Sequence, residues 1–163
     1  MLLINSKMQK YLDELEQANI KESRYDIHLN SIDPFIFPTF IEWDGCILLK
    51  QKNGPDLPSH FIPSEFTIDR TAFEALHNHI HLDDIFENMI EPIQLFGIGV
   101  KMIEIWAAVL YRQFNGKRNF YVILSYDGEY SVLRFYSVRQ DEPPWIIVDL
   151  LDSYLDAVMV IEV

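Results

Sequence analysis

Cysteine is nearly absent from this sequence, and so are long apolar runs and the familiar catalytic motifs. Among 163 residues the one cysteine is Cys46, which excludes an internal disulfide and a metal cluster built on cysteine thiolates. Chains that do not depend on disulfides are typical of reducing compartments. The cytoplasm is therefore the expected location.

No stretch approaches the roughly 20 consecutive apolar residues that a membrane-spanning helix needs. The densest candidate, residues 93–111, is interrupted by Lys101 and Glu104, which favours a buried helix over a membrane span. The apolar run at the N-terminus, MLLI, is too short for the core of a signal peptide. We therefore expect no membrane association.

The sequence also lacks the motifs that identify common enzymes. It has no G-x-S-x-G nucleophile turn, no phosphate-binding G-x-x-x-x-G-K-S/T loop and no dinucleotide fingerprint. The segment GIGVKM (97–102) lacks the third glycine of that fingerprint and is better explained as the start or a bend of a helix. The paired acids Asp83-Asp84 and Asp141-Glu142 fit a helix start and a solvated loop. No catalytic residue and no cofactor is predicted.

Basic residues are scarce, with 13 Lys and Arg against 25 Asp and Glu, for a formal net charge of −12. Such a field repels phosphate backbones and so argues against a nucleic-acid partner. Residues 71–100 and 140–163 carry acids but no Lys or Arg. This distribution favours a basic protein as partner.

Apolar and aromatic residues are plentiful, at 49% and 13% of the chain, so a folded protein is expected. The length suits one domain, and no repeat, low-complexity segment or linker divides it. We therefore predict a single globular domain over residues 1–163.

Two Asp-Gly pairs, Asp44-Gly45 and Asp127-Gly128, are each flanked by strand-forming residues. Asp-Gly supplies the positive φ angles of a type I′ turn, so each pair predicts a two-residue β-hairpin. The predicted cross-strand pairs are Trp43–Cys46 and Ile41–Leu48 in the first hairpin, and Tyr126–Glu129, Leu124–Ser131 and Val122–Leu133 in the second.

Helical periodicity predicts three main helices, over 6–18, 70–80 and 99–114. Asn5 or Ser6 can cap the first, Asp69 the second, and Asn115-Gly116 ends the third. Additional elements are predicted as strands at 25–29 and 157–163 and a short helix at 149–156. The expected class is α+β: an antiparallel or mixed sheet built around the two Asp-Gly hairpins, with about three to four helices packed on it.

The stretch HNHIHLDD (77–84) holds three of the five histidines. On a helix His77 and His81 share a face at the spacing of two zinc ligands, and Asp84 could join them, whereas on a strand all three histidines would align. Asn78 follows His77 where the zincin pattern needs Glu. We expect a helix end without a bound ion, with His77, His81 and Asp84 as the candidate ligands if a metal is present.

Three functions are open at this point. The first is a non-catalytic acidic binding protein, an immunity or antitoxin-type inhibitor that neutralises a basic bacterial toxin domain such as a nuclease. A toxin that acts on nucleic acid is basic, and an acidic inhibitor gains association rate and specificity from the complementary charge. The alternatives are a structural or adaptor subunit that binds through an exposed sheet face, and a metal-dependent enzyme at the histidines.

Residues 140–156 are the best candidate interface, because aromatic side chains among acids make good anchors. Trp145 also precedes an apolar run, so it is alternatively a residue of the protein's own core. The candidate partner-binding residues are Glu142, Trp145, Asp149, Asp152, Tyr154 and Asp156 in this segment, with Asp83, Asp84 and Glu87 as a second group.

Overall fold

The computed structural model describes residues 1–19, 33–51, 56–86 and 90–163. The strand predicted at 25–29 and the candidate residue Glu87 lie outside these ranges. The strands are β1 (Leu2–Ile4), β2 (Phe40–Trp43), β3 (Cys46–Leu49), β4 (Ile80–His81), β5 (Phe120–Tyr126), β6 (Ser131–Ser137) and β7 (Ala157–Glu162). The helices are α1 (Ser6–Asn19), α2 (Asp33–Ile36), α3 (Arg70–His77), α4 (Leu82–Phe86), α5 (Pro92–Phe114) and a 3₁₀ helix (Val148–Ser153).

Five strands form one antiparallel sheet in the order β1-β7-β5-β6-β4, and β2 and β3 form a separate two-stranded sheet. The predicted α+β class is therefore confirmed. The strand predicted at 157–163 is β7, which lies between β1 and β5. Sequence periodicity missed β1 and β4, because strands of three and two residues are too short to show alternation.

The main core lies between α5 and one face of the sheet. Trp106 of α5 is fully buried and packs edge-on against Phe135 of β6 and Phe40 of β2. Its indole N–H donates to the carbonyl of Phe35 at 2.7 Å, so the polar atom of this large side chain is satisfied. Within the described ranges, α5 is the one helix long and apolar enough to cross a membrane, by length and composition alone.

Helix α5 begins earlier than the predicted residue 99, with Pro92 at its first position. The alternative that GIGVKM starts a helix is wrong, since Gly97 and Gly99 lie inside the helix. A Cβ on Gly99 would lie 2.9 Å from carbons of both Leu82 and Leu124. The glycine thus permits the close approach of α5 to the sheet. The helix ends as predicted, at Asn115 in the left-handed conformation.

The first hairpin is confirmed. Asp44 and Gly45 have φ of 44° and 80°, as a type I′ turn requires, and both predicted cross-strand pairs form. Cys46 is fully buried.

The register predicted for the second hairpin is wrong by two residues. Tyr126 pairs with Ser131, and the other pairs are Leu124–Leu133 and Val122–Phe135. The cause is the Asp127 side chain, which accepts the N–H groups of Glu129 and Tyr130 at 2.8 and 2.7 Å and closes a longer loop. A shift of two keeps every side chain on its predicted face, so the fold class is unaffected.

Asn5 joins the two ends of the described chain. Its side-chain oxygen accepts the N–H groups of Met8 and Val158 at 2.9 and 3.0 Å, which caps α1 and holds the start of β7. Its amide nitrogen donates to the carbonyls of Leu151 and Asp156 at 3.2 and 2.8 Å. The buried amide is therefore fully used, and residues 151–158 have a fixed position relative to α1.

Candidate functional site

Two regions concentrate the polar side chains that could carry function. The first is the α3 junction, which consists of Glu74, Asn78 and Arg139. Glu74 and Asn78 are fully buried on α3, between β3 and β6. Glu74 accepts the N–H groups of Ile47 on β3 and Ser137 on β6. The side chain of Glu74 thus connects the backbones of the two sheets through hydrogen bonds.

Asn78 makes a parallel set of contacts one helical turn later. Its oxygen accepts the N–H of Leu49 at 2.8 Å, and its nitrogen donates to the carbonyls of Ile47 and Phe135 at 2.8 and 3.3 Å. All its hydrogen-bonding partners are backbone groups of the two sheets. This residue therefore fixes the position of the small sheet and leaves no free group for a ligand.

Arg139 neutralises the buried carboxylate of the α3 junction. Its guanidinium nitrogens donate to the two oxygens of Glu74 at 2.7 and 3.2 Å, and one also donates to the carbonyl of Gly45 at 3.1 Å. Burial alone would lower the pKa of Arg139, but the hydrogen bonds and charge of Glu74 raise it above its usual value. With its charges paired, the α3 junction holds the fold together. Sequence reasoning missed it because no local motif marks these residues.

The second region is the C-terminal surface, which we define as residues 145–156. Ile146 and Leu151 anchor it to the sheet, buried in one cluster with Ile123, Tyr136 and Val158. Four large apolar side chains face outward in this short span, and such clustering on a surface is typical of an interaction site. Their exposed fractions are 40% for Trp145, 49% for Ile147, 54% for Leu150 and 92% for Leu155.

Two of the predicted partner-binding acids are used inside the protein. Glu142 accepts the N–H groups of Thr71 and Arg70 at 2.7 and 3.4 Å, so it caps α3 together with Asp69. Asp152 accepts the N–H and the hydroxyl of Ser6 at 2.8 and 2.7 Å. These hydrogen bonds, the backbone one first, lower the pKa of Asp152.

The other predicted residues of the C-terminal surface are more available. The carboxylates of Asp149 and Asp156 are exposed and make no hydrogen bond or ion pair with any described residue. The hydroxyl of Tyr154 accepts the N–H of Ile147 at 2.9 Å, which leaves its own proton free to donate. Trp145 is partly exposed, and the guanidinium of Arg134 lies 5.4 Å from the centre of its ring.

Asp83, from the second predicted group, lies at the same end of the sheet as Asp156. Asp156 directly precedes Ala157, which pairs with Tyr126, and Tyr126 also pairs with Ser131. The N–H of Ser131 donates to the Asp83 carboxylate at 3.4 Å. Two acids that are 73 positions apart in the sequence are therefore brought to one end of neighbouring strands.

This end of the sheet, which we call the acidic end, combines charge with exposed anchors. Its acids are Asp83, Asp84, Asp127, Glu129 and Asp156. Burial, followed by nearby Tyr11 and acids that include Asp127 and Asp83, raises the pKa of Tyr126 to about 12. Tyr130, half exposed in the hairpin loop, and Leu155 offer large side chains beside these carboxylates. Lys7 is a nearby cation, and it donates to the carbonyl of Tyr154.

The helix end expected at the histidine stretch is present, since α3 ends at His77 with Asn78 as its C-cap, although the predicted helix extended to residue 80. His81 lies in β4, so His77 and His81 do not share a helical face with Asp84. His77 stacks on Phe73, and burial lowers its pKa. Within the parts of the chain that the structure describes, no group of three His, Cys, Asp or Glu residues is placed to hold a metal ion.

The fold and this surface define a small α+β protein with one five-stranded antiparallel sheet and an acidic end. The chain belongs to the Uncharacterized protein PM0498 family, whose sequence profile matches residues 3–163. No curated protein and no solved structure matches it.

Proposed function

We propose that this protein is a non-catalytic binding protein that neutralises a basic protein partner, as an immunity protein or antitoxin neutralises a toxin domain. The observation that carries the proposal is the acidic end, where carboxylates from three parts of the chain meet beside Tyr130 and Leu155. The net charge of −12 extends the same negative field over the molecule. A partner that itself binds nucleic acid has the complementary basic surface.

The two kinds of side chain on this surface have different roles in binding. The carboxylates of the acidic end accelerate encounter with a basic protein, and salt weakens that attraction. Exposed apolar groups such as Leu155 supply affinity when the partner covers them. Asn5 and the sheet hold the surface in place, so little conformational entropy is lost on binding.

The test begins with affinity capture by the wild-type protein and by the Asp84→Lys/Asp156→Lys variant. These two acids of the acidic end are chosen because both are exposed and neither makes a hydrogen bond or ion pair with a described residue, whereas Asp152 and Glu142 cap helices. A matched control, Glu65→Lys/Glu104→Lys, makes the same charge change at two exposed positions elsewhere. The captured partner is then purified, and its binding is measured at roughly 50 and 200 mM salt.

We expect a basic partner whose association rate falls roughly tenfold with salt before its dissociation rate changes, and falls similarly with the charge reversal. The control variant should bind almost as the wild type does. The protein should also inhibit the enzymatic activity of the partner. Binding unaffected by both salt and charge reversal would exclude the acidic end as the interface, and uninhibited partner activity would exclude the inhibitor function.

Truncation of exposed apolar side chains distinguishes residues of the interface from residues of the protein's own core. Leu155→Ala should weaken partner binding by about 2 kcal/mol if the side chain is a buried anchor in the complex. Its melting temperature should stay unchanged, since the side chain is 92% exposed. Trp145→Ala tests the alternative that Trp145 belongs to the protein's own core, because the loss of a core tryptophan would lower the melting temperature as well as the affinity.

A further inference from the structure

An open groove of about 520 Å³ lies between the C-terminal surface and the outer face of the sheet. Ile123 of β5 and Val158 of β7 line it from the sheet, and Trp145, Tyr154 and Leu155 line it from the segment that crosses over. This volume is within the range of small-molecule sites, and the apolar lining with a few polar groups is typical of them. The groove is distinct from the acidic end, although Asp156 borders both.

Arg134 gives the groove its one positive charge among the described residues that line it. It lies on β6 opposite Ile123. Its guanidinium contacts the Trp145 ring but makes no hydrogen bond or ion pair with any described residue. Burial lowers the pKa of Arg134, since nearby protein atoms replace water without supplying a counter-charge. A partly desolvated guanidinium whose five N–H donors have no acceptor among the described residues lacks the counter-charge that usually accompanies it.

We propose that this groove binds a small organic monocarboxylate with an apolar body. Its carboxylate would pair with the guanidinium of Arg134, whose planar fork matches two carboxylate oxygens. The apolar body would lie on Ile123 and Val158, and the free hydroxyl proton of Tyr154 is a further donor at the edge. A phosphate dianion fits less well, because the one lining cation is accompanied by the carboxylate of Asp156. The inference does not depend on the partner proposed above.

The test uses 4-phenylbutyrate as the probe, titrated into the protein and followed by calorimetry and by heteronuclear NMR. The comparison compound 4-phenylbutanol keeps the apolar body and removes the charge, and inorganic phosphate keeps an anion and removes the body. We expect the acid to bind at least about tenfold more tightly than either compound, the difference expected of a charge-assisted pair. Chemical-shift changes should centre on the Trp145 indole and on Tyr154.

Substitution of Arg134 provides the decisive comparison. Arg134→Met should abolish the preference for the acid over the alcohol, while Arg134→Lys keeps the charge and part of the preference. Arg112→Met, which removes an exposed arginine on α5, controls for the change in net charge. Without the probe, Arg134→Met should melt at or above the wild-type temperature, because the guanidinium has no hydrogen bond or ion pair with a described residue to lose and Met can keep an apolar contact with the Trp145 ring.

Three results would overturn the proposal. Equal binding of acid and alcohol by the wild type would show that the guanidinium recognises no carboxylate. An acid preference that survives Arg134→Met, or shift changes centred away from Trp145 and Tyr154, would place the site elsewhere. A lower melting temperature of Arg134→Met, together with no binding of the acid to the wild type, would assign Arg134 to the fold.

Discussion

Arg139 and Arg134 come from the same stretch of chain, yet their surroundings are opposite. Arg139 forms two hydrogen bonds to Glu74 and others to backbone carbonyls, and its side chain is 14% exposed. Arg134 has a tryptophan ring and no carboxylate partner in the described structure. The protein satisfies its polar groups where two sheets must be joined. Charge without an internal counter-charge among the described residues remains at the groove and the acidic end, where a ligand or partner can complete it.

Removal of the central carboxylate of the α3 junction should have the largest effect. Glu74→Ala removes the buried counter-charge of Arg139, which keeps the carboxylate of Glu142 at 3.8 Å, and leaves the N–H groups of Ile47 and Ser137 unpaired. Loss of one partner of a buried ion pair costs about 3–5 kcal/mol. Chemical denaturation should show this decrease in the free energy of unfolding. Glu104→Ala, at an exposed ion pair with Lys101, is the control and should change it by less than about 0.5 kcal/mol.

A smaller loss is expected at Glu142, which belongs to the predicted interface but caps α3. Glu142→Ala removes acceptors from the N–H groups of Thr71 and Arg70 and a carboxylate 3.8 Å from Arg139. The loss of a helix cap costs about 1 kcal/mol. Thermal or chemical denaturation measures it. An unchanged stability would mean that Asp69 caps the helix alone and that Glu142 is available to a partner.

The pH dependence of stability should reveal the partly buried His77. Because burial lowers the folded-state pKa of His77 below 6.5, the unfolded chain binds more protons in mildly acidic solution. The free energy of unfolding should therefore fall as the pH drops through and below 6.5. In His77→Gln this part of the slope should disappear between roughly pH 8 and pH 5. His60→Gln, at an exposed histidine, is the matched control, and an equal effect there would contradict the assignment to His77.

The smallest change in stability is expected on the C-terminal surface. Asp149→Asn/Asp156→Asn removes two charges that have no partner among the described residues, so the free energy of unfolding should change by no more than about 0.5 kcal/mol. Parallel denaturation of this variant and of Glu142→Ala compares the contributions to stability of acids that lie close together in the sequence. A loss as large as that of Glu142→Ala would show that these carboxylates serve the fold, and it would weaken the contrast between the two regions.

The parts of the fold that the sequence predicted are those set by local chemistry. Asp44-Gly45 forms the predicted turn because both residues adopt positive φ, and Asn115-Gly116 ends α5 for the same reason. The Asp127-Gly128 hairpin has the same dipeptide, but the carboxylate of Asp127 binds two backbone N–H groups and lengthens the loop. Side-chain hydrogen bonds of this kind compete with the tendency of Asp-Gly to form a two-residue turn. The dipeptide alone therefore does not determine the length of the loop.

The candidate site was predicted in part of its composition but not in its arrangement, and Asp127, Glu129, Tyr130 and Leu155 were not among the predicted residues. The acids and aromatics of residues 140–156 are visible in the sequence, and so is Asp83. That Asp83 and Asp156 reach the same end depends on the insertion of β7 beside β5, which is a long-range pairing. The hydrogen bonds of Glu142 and Asp152 inside the protein likewise depend on tertiary contacts, and so does the lack of a carboxylate partner for Arg134 among the described residues. Local periodicity contains no information about tertiary contacts.

The position of β7 also has a consequence for biosynthesis. Among the described strands β1 is the first to be translated, yet its neighbour β7 is the last, and Asn5 binds Val158 across 153 positions. Until that strand leaves the exit tunnel, β1 and one edge of β5 present unpaired backbone to other nascent chains. Such edges promote aggregation, and contacts at long sequence separation slow folding. We therefore expect the sheet to close only after translation of β7.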